Sequence, residues 1–301
     1  DEQICPNFDW KDFDNDKFEY YLKLAKISDK LPKDEILKNL RVLTDDGFTN
    51  AGVLYFTKNP YKYIISSRIR CVHFKGDGRI DILDKKVIDR GIIGNIEFAI
   101  EYLQERVPVR YEIKKLARDE FPEYPIEAYR EAVVNAIIHF DYFLGDMIAV
   151  EKHKSSIIIN NKGELLFPEK DFGKKSEARN RLLVDLLART EFMEKAGTGI
   201  RRMRDACKNN GNKILFDFSD SYWTIIKTNG DVVDGGASGG ASGGVNNLYK
   251  FIQIHPHLNA KELSGKLGIS LRTTQRWIKQ LKDEGKITFK GAAKTGGYFE
   301  K

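Results

Sequence analysis

Between Asn229 and Gly244 the chain reads Asn-Gly-Asp-Val-Val-Asp-Gly-Gly-Ala-Ser-Gly-Gly-Ala-Ser-Gly-Gly. Such a run has too little apolar surface to offset the entropy of ordering it, so it reads as a flexible linker. No single core runs across it, so it marks a domain boundary. Charge divides at the same place. Residues 246–301 hold 11 Lys+Arg against 4 Asp+Glu, whereas the whole chain carries only +6. The other 245 residues therefore sit at −1, and the entire basic excess lies in the small last body. That asymmetry points to a polyanion-binding module at the C-terminal end.

The last body has a compact helical grammar. The spacing predicts helices over 245–254, 260–267 and 271–284, with Gly268-Ile-Ser270 as a tight turn and Ser270 as the cap of the third. Lys286–Phe289 and Tyr298–Glu300 are expected to pair as a hairpin across the glycine-rich segment 291–297. This order resembles a winged helix-turn-helix DNA-binding domain. Thr274, Ile278 and Leu281 are expected to be buried, leaving Arg272, Thr273, Gln275, Arg276 and Lys279 outward. With Ser270 they are the candidate contacts to base edges and phosphates of double-stranded DNA. Lys290 and Lys294 on the wing would reach backbone or minor groove. A winged helix that docks on protein is the blander reading, and the basic face argues against it. His255-Pro-His257 has no third metal ligand within reach and reads as a loop ending a helix.

With 301 residues, 41% of them hydrophobic and 31% charged, the chain has room for two or three domains. No apolar run approaches the roughly 20 residues of a membrane span. Cys5, Cys71 and Cys207 are odd in number and scattered, which fits a reducing cytoplasm better than a disulfide framework. The first residues look like neither a signal peptide nor a native start, and a fragment is expected.

Before the linker the pattern is mixed, and the expected class is α+β. Helical spacing covers 18–27, 33–43 and 92–106, and a further helix is expected within 48–60. Arg68–Phe74 alternates like a strand and turns at Lys75–Arg79. Farther on, 146–151 and 155–160 read as strands, with Asn161–Glu164 as a turn. Helices are expected over 179–187 and 200–208, and paired strands over 214–218 and 222–227, with the helices packed on one side of an antiparallel sheet.

The most informative helix opens at Pro125 and meets no breaker until Gly145. At about 100° per residue, Glu131, Asn135 and His139 fall in one stripe about 80° wide. Ala132, Val133, Val134, Ala136, Ile137 and Ile138 fill the rest of the circumference. This helix is expected to be buried nearly all round, with a carboxylate, an amide and an imidazole facing one gap. A solvated stripe, an internal hydrogen-bond network and a bound ligand all account for that pattern. Downstream, Ala196-Gly-Thr-Gly-Ile200 places two glycines just before a helix, which a structural turn also explains.

Together these segments carry a resemblance. Glu131-x3-Asn135, a strand ending Ile159-Asn-Asn-Lys-Gly163, and Glu194-Lys-Ala-Gly-Thr-Gly-Ile200 resemble the N, G1 and G2 boxes of GHKL (Bergerat-fold) ATPases. More closely, EAVVNAIIHFDY, ARNRLLVDLL and EKAGTGIRRMRDAC resemble the divergent ATPase-like domain behind Schlafen/AlbA-type domains in prokaryotic regulators. LTDDGFTNAGVLYFTKNP, RIRCVHFKGDG and PVRYEI look like the rear of the Schlafen/AlbA-type α/β region. That group is often labelled helicase-related, but no G-x-x-x-x-G-K-[ST] loop occurs here. The implied division is a partial Schlafen/AlbA-type region over 1–115, a GHKL-like α/β sandwich over 116–229, a linker over 230–245 and the winged helix over 246–301.

The resemblance implies ATP or ADP with Mg²⁺ as ligand. Asn135 would ligate the Mg²⁺, and Glu131 would orient or deprotonate an attacking water as general base. Gly197, Thr198 and Gly199 would lie along the phosphates, with Arg201 and Arg202 adding charge. Asn161 would meet the base, and Gly163 and His139 would complete the nucleotide-binding set. Asn161 stands where active members carry Asp; its amide oxygen accepts without charge assistance, which weakens the bond. Weak or absent ATPase activity is therefore expected rather than efficient hydrolysis.

The leading expectation is a cytoplasmic, DNA-binding transcriptional regulator acting as a homodimer, with a nucleotide as effector or structural ligand. A Mg-dependent ATPase tethered to nucleic acid is the alternative from another class. An RNA-binding effector of the Schlafen kind is a third, whose chemistry would precede Asp1.

Overall fold

The computed structural model describes residues 1–114, 117–175, 177–193, 197–218, 221–228, 245, 248–249, 251–253, 255–267, 271–291 and 296–300, with only the backbone described over 110–114 and 117–121. The chain divides into two compact units, Asp1–Gly230 and Asp231–Lys301. The expected linker lies outside the described residues up to Gly244, and Val245, its last residue, is helical.

The first unit is α+β. Its main sheet has six strands in the order Ile82–Ile88, Ile69–Phe74, Ile148–Lys152, Ser156–Asn161, Tyr222–Lys227 and Lys213–Asp217. Four of the five pairings are antiparallel; Ile69–Phe74 runs parallel to Ile148–Lys152. The sheet is therefore mixed, not purely antiparallel as expected. A parallel neighbour requires a long crossover, and the segment between these strands supplies it with the helices Gly91–Gln104 and Ile126–His139.

The division expected at 115/116 falls between Val109–Lys114 and Ala117–Pro122, two paired strands of one hairpin. One hydrophobic core runs from Cys5 to Ile226 across that point. Long-range ties reinforce it: the Tyr21 hydroxyl donates to the Leu186 carbonyl at 3.0 Å and the Tyr55 hydroxyl to the Leu183 carbonyl at 3.2 Å. The first 115 residues are thus built into the same unit as the rest.

Expected elements recur with shifted ends. The helices are Asn15–Leu24, Lys33–Asn39, Asn50–Phe56, Gly91–Gln104, Arg181–Leu187 and Gly199–Asn209. Asp14 and Thr49 start two of these by accepting from Lys17 N and Gly52 N. Cys5, Cys71 and Cys207 are free and buried.

Ile126–His139 is buried at Ala128, Tyr129, Ala132, Val133, Val134, Ala136, Ile137 and Ile138, which leaves the narrow polar stripe the sequence predicts. It packs on the strand Ser156–Asn161 and on the helices Gly91–Gln104 and Gly199–Asn209. It ends at His139, six residues before Gly145. The Asn180 side chain donates to Ile138 O at 2.9 Å and Phe140 O at 2.8 Å, and Asp141 N donates to Lys162 O at 2.9 Å. These tertiary bonds draw the chain out of the helix where no local breaker stands.

In the second unit, residues 245, 248–249 and 251–253 are helical. Ala260–Leu267 opens on a reciprocal cap: Asn259 Oδ1 accepts from Glu262 N at 3.0 Å, and Glu262 Oε2 accepts from Asn259 N at 2.9 Å. Leu271–Asp283 follows, and Ile287–Lys290 pairs antiparallel with Gly297–Glu300. Val245, Leu248, Ile252, Leu263, Trp277, Ile278, Leu281 and Ile287 form the core. The His255–His257 loop joins the hairpin, because Tyr298 N donates to Leu258 O at 3.0 Å and Tyr298 O accepts from His257 N at 3.2 Å. A Cβ on Gly297 would lie 2.0 Å from His257 O, so this approach requires glycine. Helix, helix, helix and hairpin make a winged helix.

Candidate functional site

In the first unit one cavity of about 310 Å³ gathers most of the residues singled out from the sequence. Glu131, Asn135 and His139 line it from their stripe, Asn161 and Gly163 from the end of a strand, and Gly197 and Gly199 from the start of the helix Gly199–Asn209. Thr198 precedes that helix on the surface and is not among the lining residues. Arg201 turns outward, 84% exposed, toward Asp205. The expected phosphate roles of Thr198 and Arg201 thus have no support from position. Glu194, Lys195 and Ala196 lie outside the described residues.

Asn161 is the last residue of its strand, not part of a turn as expected, because it pairs with Tyr222 across the sheet. It is 1% exposed, yet among the described residues neither its Oδ1 nor its Nδ2 has a hydrogen-bond partner. An unmet buried polar group costs about 1–3 kcal/mol. Arg179 adds a second such group: its Nε is buried without a partner, while its other nitrogens reach Asp141 at 3.3 Å and the Glu164 carbonyl at 2.9 Å. Two unmet polar groups in one cavity suit a polar ligand better than a closed internal network.

Glu131 is held on three sides. Its Oε2 accepts from Arg202 at 2.9 Å, and its Oε1 accepts from Asn135 Nδ2 at 3.3 Å. A Cβ on Gly199 would lie only 1.9 Å from Oε1, so glycine is required there to let the carboxylate approach the helix start. A carboxylate in that place is favoured by the N-terminal end of the helix dipole. Gly199 was expected to open the backbone to phosphates, and its room goes first to Glu131. Arg202 adds charge as expected, but to Glu131.

Burial, reinforced by the Arg179 guanidinium, lowers the pKa of His139 to about 4, so the ring is neutral at pH 7. The unfolded chain takes up this proton near pH ~6.5 and the folded one only near 4. Folded-state stability therefore falls as pH drops through that window, by at most ~1.4 kcal/mol per pH unit from this group. His139→Gln should flatten the pH dependence of urea unfolding between pH 7 and 4.5. An unaltered slope would show that folding does not shift the titration of this ring.

Asn180 and Arg179 escaped the sequence reading, although both stand in the quoted ARNRLLVDLL. Their signal was two polar residues directly before an apolar helix, too common to assign. Among the described residues no group of three or more His, Cys, Asp or Glu could hold a metal ion, and no helix is long and apolar enough to cross a membrane.

In the second unit Leu271–Asp283 buries Thr274, Trp277, Ile278 and Leu281. Arg272, Gln275, Arg276 and Lys279 are exposed, and Thr273 is partly covered. At about 100° per residue the four exposed residues fall within one stripe roughly 100° wide. Lys290 ends its wing strand exposed, with its ammonium 5.2 Å from the Phe299 ring centroid. Ser270 and Lys294 lie outside the described residues.

The fold and these surfaces define a chain with an ATPase-like domain followed by a winged helix-turn-helix. Comparison with known proteins agrees. Residues 145–226 match a family model described as "Putative ATP-dependent DNA helicase recG C-terminal", and residues 247–288 match one described as "Winged helix-turn-helix DNA-binding". Asn161, Gly163 and Gly197–Gly199 fall inside the first match; Glu131, Asn135 and His139 precede it. The crystal structure of the DIP2311 protein from Corynebacterium diphtheriae is similar, with a TM-score of 0.63 at 17% identity. The likeness covers 99% of this chain and 63% of that one, so the chain spans less than two thirds of that protein. At this identity the similarity speaks for the fold. No curated protein matches.

Proposed function

We propose that this protein is a DNA-binding transcriptional regulator whose ATPase-like domain holds ATP or ADP as effector or structural ligand. The observation that carries the DNA half is the exposed stripe Arg272, Gln275, Arg276 and Lys279 on the third helix of a winged helix. Arginine and glutamine present the paired donors and acceptors that read guanine and adenine edges, and the lysines of this unit meet phosphates. A winged helix commonly reads a two-fold site as a pair, so a cytoplasmic homodimer is the proposed working form.

Arg272→Ala and Arg276→Ala should each weaken binding to the preferred duplex by about 1–3 kcal/mol and relax its sequence preference. Fluorescence anisotropy against specific and scrambled duplexes measures both effects. Equal losses on the two duplexes would mean that these arginines only touch phosphates.

The nucleotide half rests on Asn161, a residue of the cavity lining whose buried amide has no partner among the described residues. The residues present fit such a ligand. Asn161 would meet the base, and the glycine-flanked helix start would lie nearer the phosphates. A Mg²⁺ carried by the nucleotide would supply charge neutralisation, with Asn135 as its protein ligand. Binding is favoured over turnover, because Glu131 already accepts from Arg202 and Asn135. That engagement leaves it poorly placed as a general base.

A further inference from the structure

Resting on the nucleotide reading above, we propose that Asn161 reads the base through both of its amide atoms at once, so that the cavity accepts guanine as well as adenine nucleotides. The strand Ser156–Asn161 fixes the Asn161 backbone, and register opposite Tyr222 keeps its side chain on the cavity side of the sheet. Among the described residues no group holds Oδ1 or Nδ2. A ligand that satisfies both must present a hydrogen-bond donor and an acceptor side by side. A purine does so along one edge. On adenine the amide oxygen accepts from the 6-amino group while the amide nitrogen donates to the neighbouring ring nitrogen. On guanine the same two atoms serve in reverse, the amide nitrogen donating to O6 and the oxygen accepting from N1–H.

The two arrangements differ by a half-turn of the amide about its terminal torsion. That torsion is broad and roughly two-fold, and no hydrogen bond to the protein would be broken by the turn. A carboxylate in this place has no donor and cannot pair with O6, so only the amide can serve the 6-position edge of both bases with two bonds. The walls are compatible with a flat ring: Ile138, Leu166, Phe172 and Tyr222 line the same cavity, and His139 lies beside them as a neutral imidazole.

Isothermal titration of the whole chain with ATP, GTP and the ATP analogue lacking the 6-amino group, each with Mg²⁺, tests this. ATP and GTP are expected to bind within tenfold of each other, and the des-amino analogue at least tenfold more weakly than ATP. In Asn161→Leu, which replaces an unmet amide by an apolar group of similar size, the ATP-to-analogue ratio should fall to near one. GTP binding more than tenfold weaker than ATP, or an unchanged ratio in the variant, overturns the two-atom reading and leaves nucleotide binding standing. If no nucleotide binds the folded wild-type protein, the nucleotide reading itself fails. The wild-type titrations decide the guanine question even if the variant does not fold.

Discussion

Deleting residues 231–301 is expected to abolish sequence-specific DNA binding while the Asp1–Gly230 unit stays folded. The first 230 residues hold 39 Lys+Arg against 38 Asp+Glu, so little net charge remains to displace counterions from a duplex. The core from Cys5 to Ile226 is complete without the deleted part. Affinity for the preferred duplex should fall by about a thousandfold or more, the usual gap between specific and non-specific binding. The steep salt dependence of the full chain should go with it. Anisotropy titrations at several salt concentrations, with circular dichroism as the control for folding, measure both. A truncated protein that still recognised its duplex as tightly as the whole would refute the assignment of DNA reading to the winged helix.

The second large effect is expected at Asn180, in the first unit. Its side chain is 5% exposed and donates to both Ile138 O and Phe140 O, the carbonyls left over where the helix carrying Glu131, Asn135 and His139 ends. Asn180→Leu keeps the volume but strands two acceptors out of water. At about 1–3 kcal/mol for each unmet group, partly relieved by local adjustment, the unit should lose about 2–4 kcal/mol. For a unit of this size that is a drop of roughly 5–15 °C in Tm. Urea unfolding with an unchanged m-value would show that stability, not compactness, has changed. A loss under ~0.5 kcal/mol, the size of an ordinary surface substitution, would mean that these carbonyls find other donors. Nucleotide affinity should fall in parallel, since the helix end that these bonds fix packs with its His139 carbonyl close to Gly163.

These two expectations sit at opposite ends of what could be read without coordinates. The winged helix was legible because its signals are local. The burial of Thr274, Ile278 and Leu281 follows from helical spacing, and the wing from glycines between two short alternating runs. Even there, Trp277 was left out of the expected core, although the structure buries it. The reciprocal cap Asn259–Glu262 also went unread, though four residues spell it.

In the first unit the buried helix was legible for the same reason: its apolar residues surround a narrow polar stripe. The strand Ile82–Ile88 was not. It lies at the edge of the sheet with Lys85 and Lys86 exposed, and edge strands are commonly charged in this way, which erases the alternation that reveals a strand. The hairpin of Val109–Lys114 and Ala117–Pro122 was missed as well, and only the fragment PVRYEI was noticed there.

By itself the sequence determined that a domain boundary falls at the glycine-serine run, that the part after it is basic and helical, and that one helix turns an acid, an amide and an imidazole toward a single gap. Each of these rests on composition or on spacing within a few turns, which the chain carries locally. Only the tertiary structure decided that Ile69–Phe74 runs parallel to Ile148–Lys152, that the helix stops at His139, and that Glu131 lies against Gly199 and Arg202. Only it showed Asn161 in a strand with both amide atoms unmet. Those outcomes depend on strand register and on hydrogen bonds between residues tens of positions apart, and no local pattern encodes which distant partner a buried polar group will find.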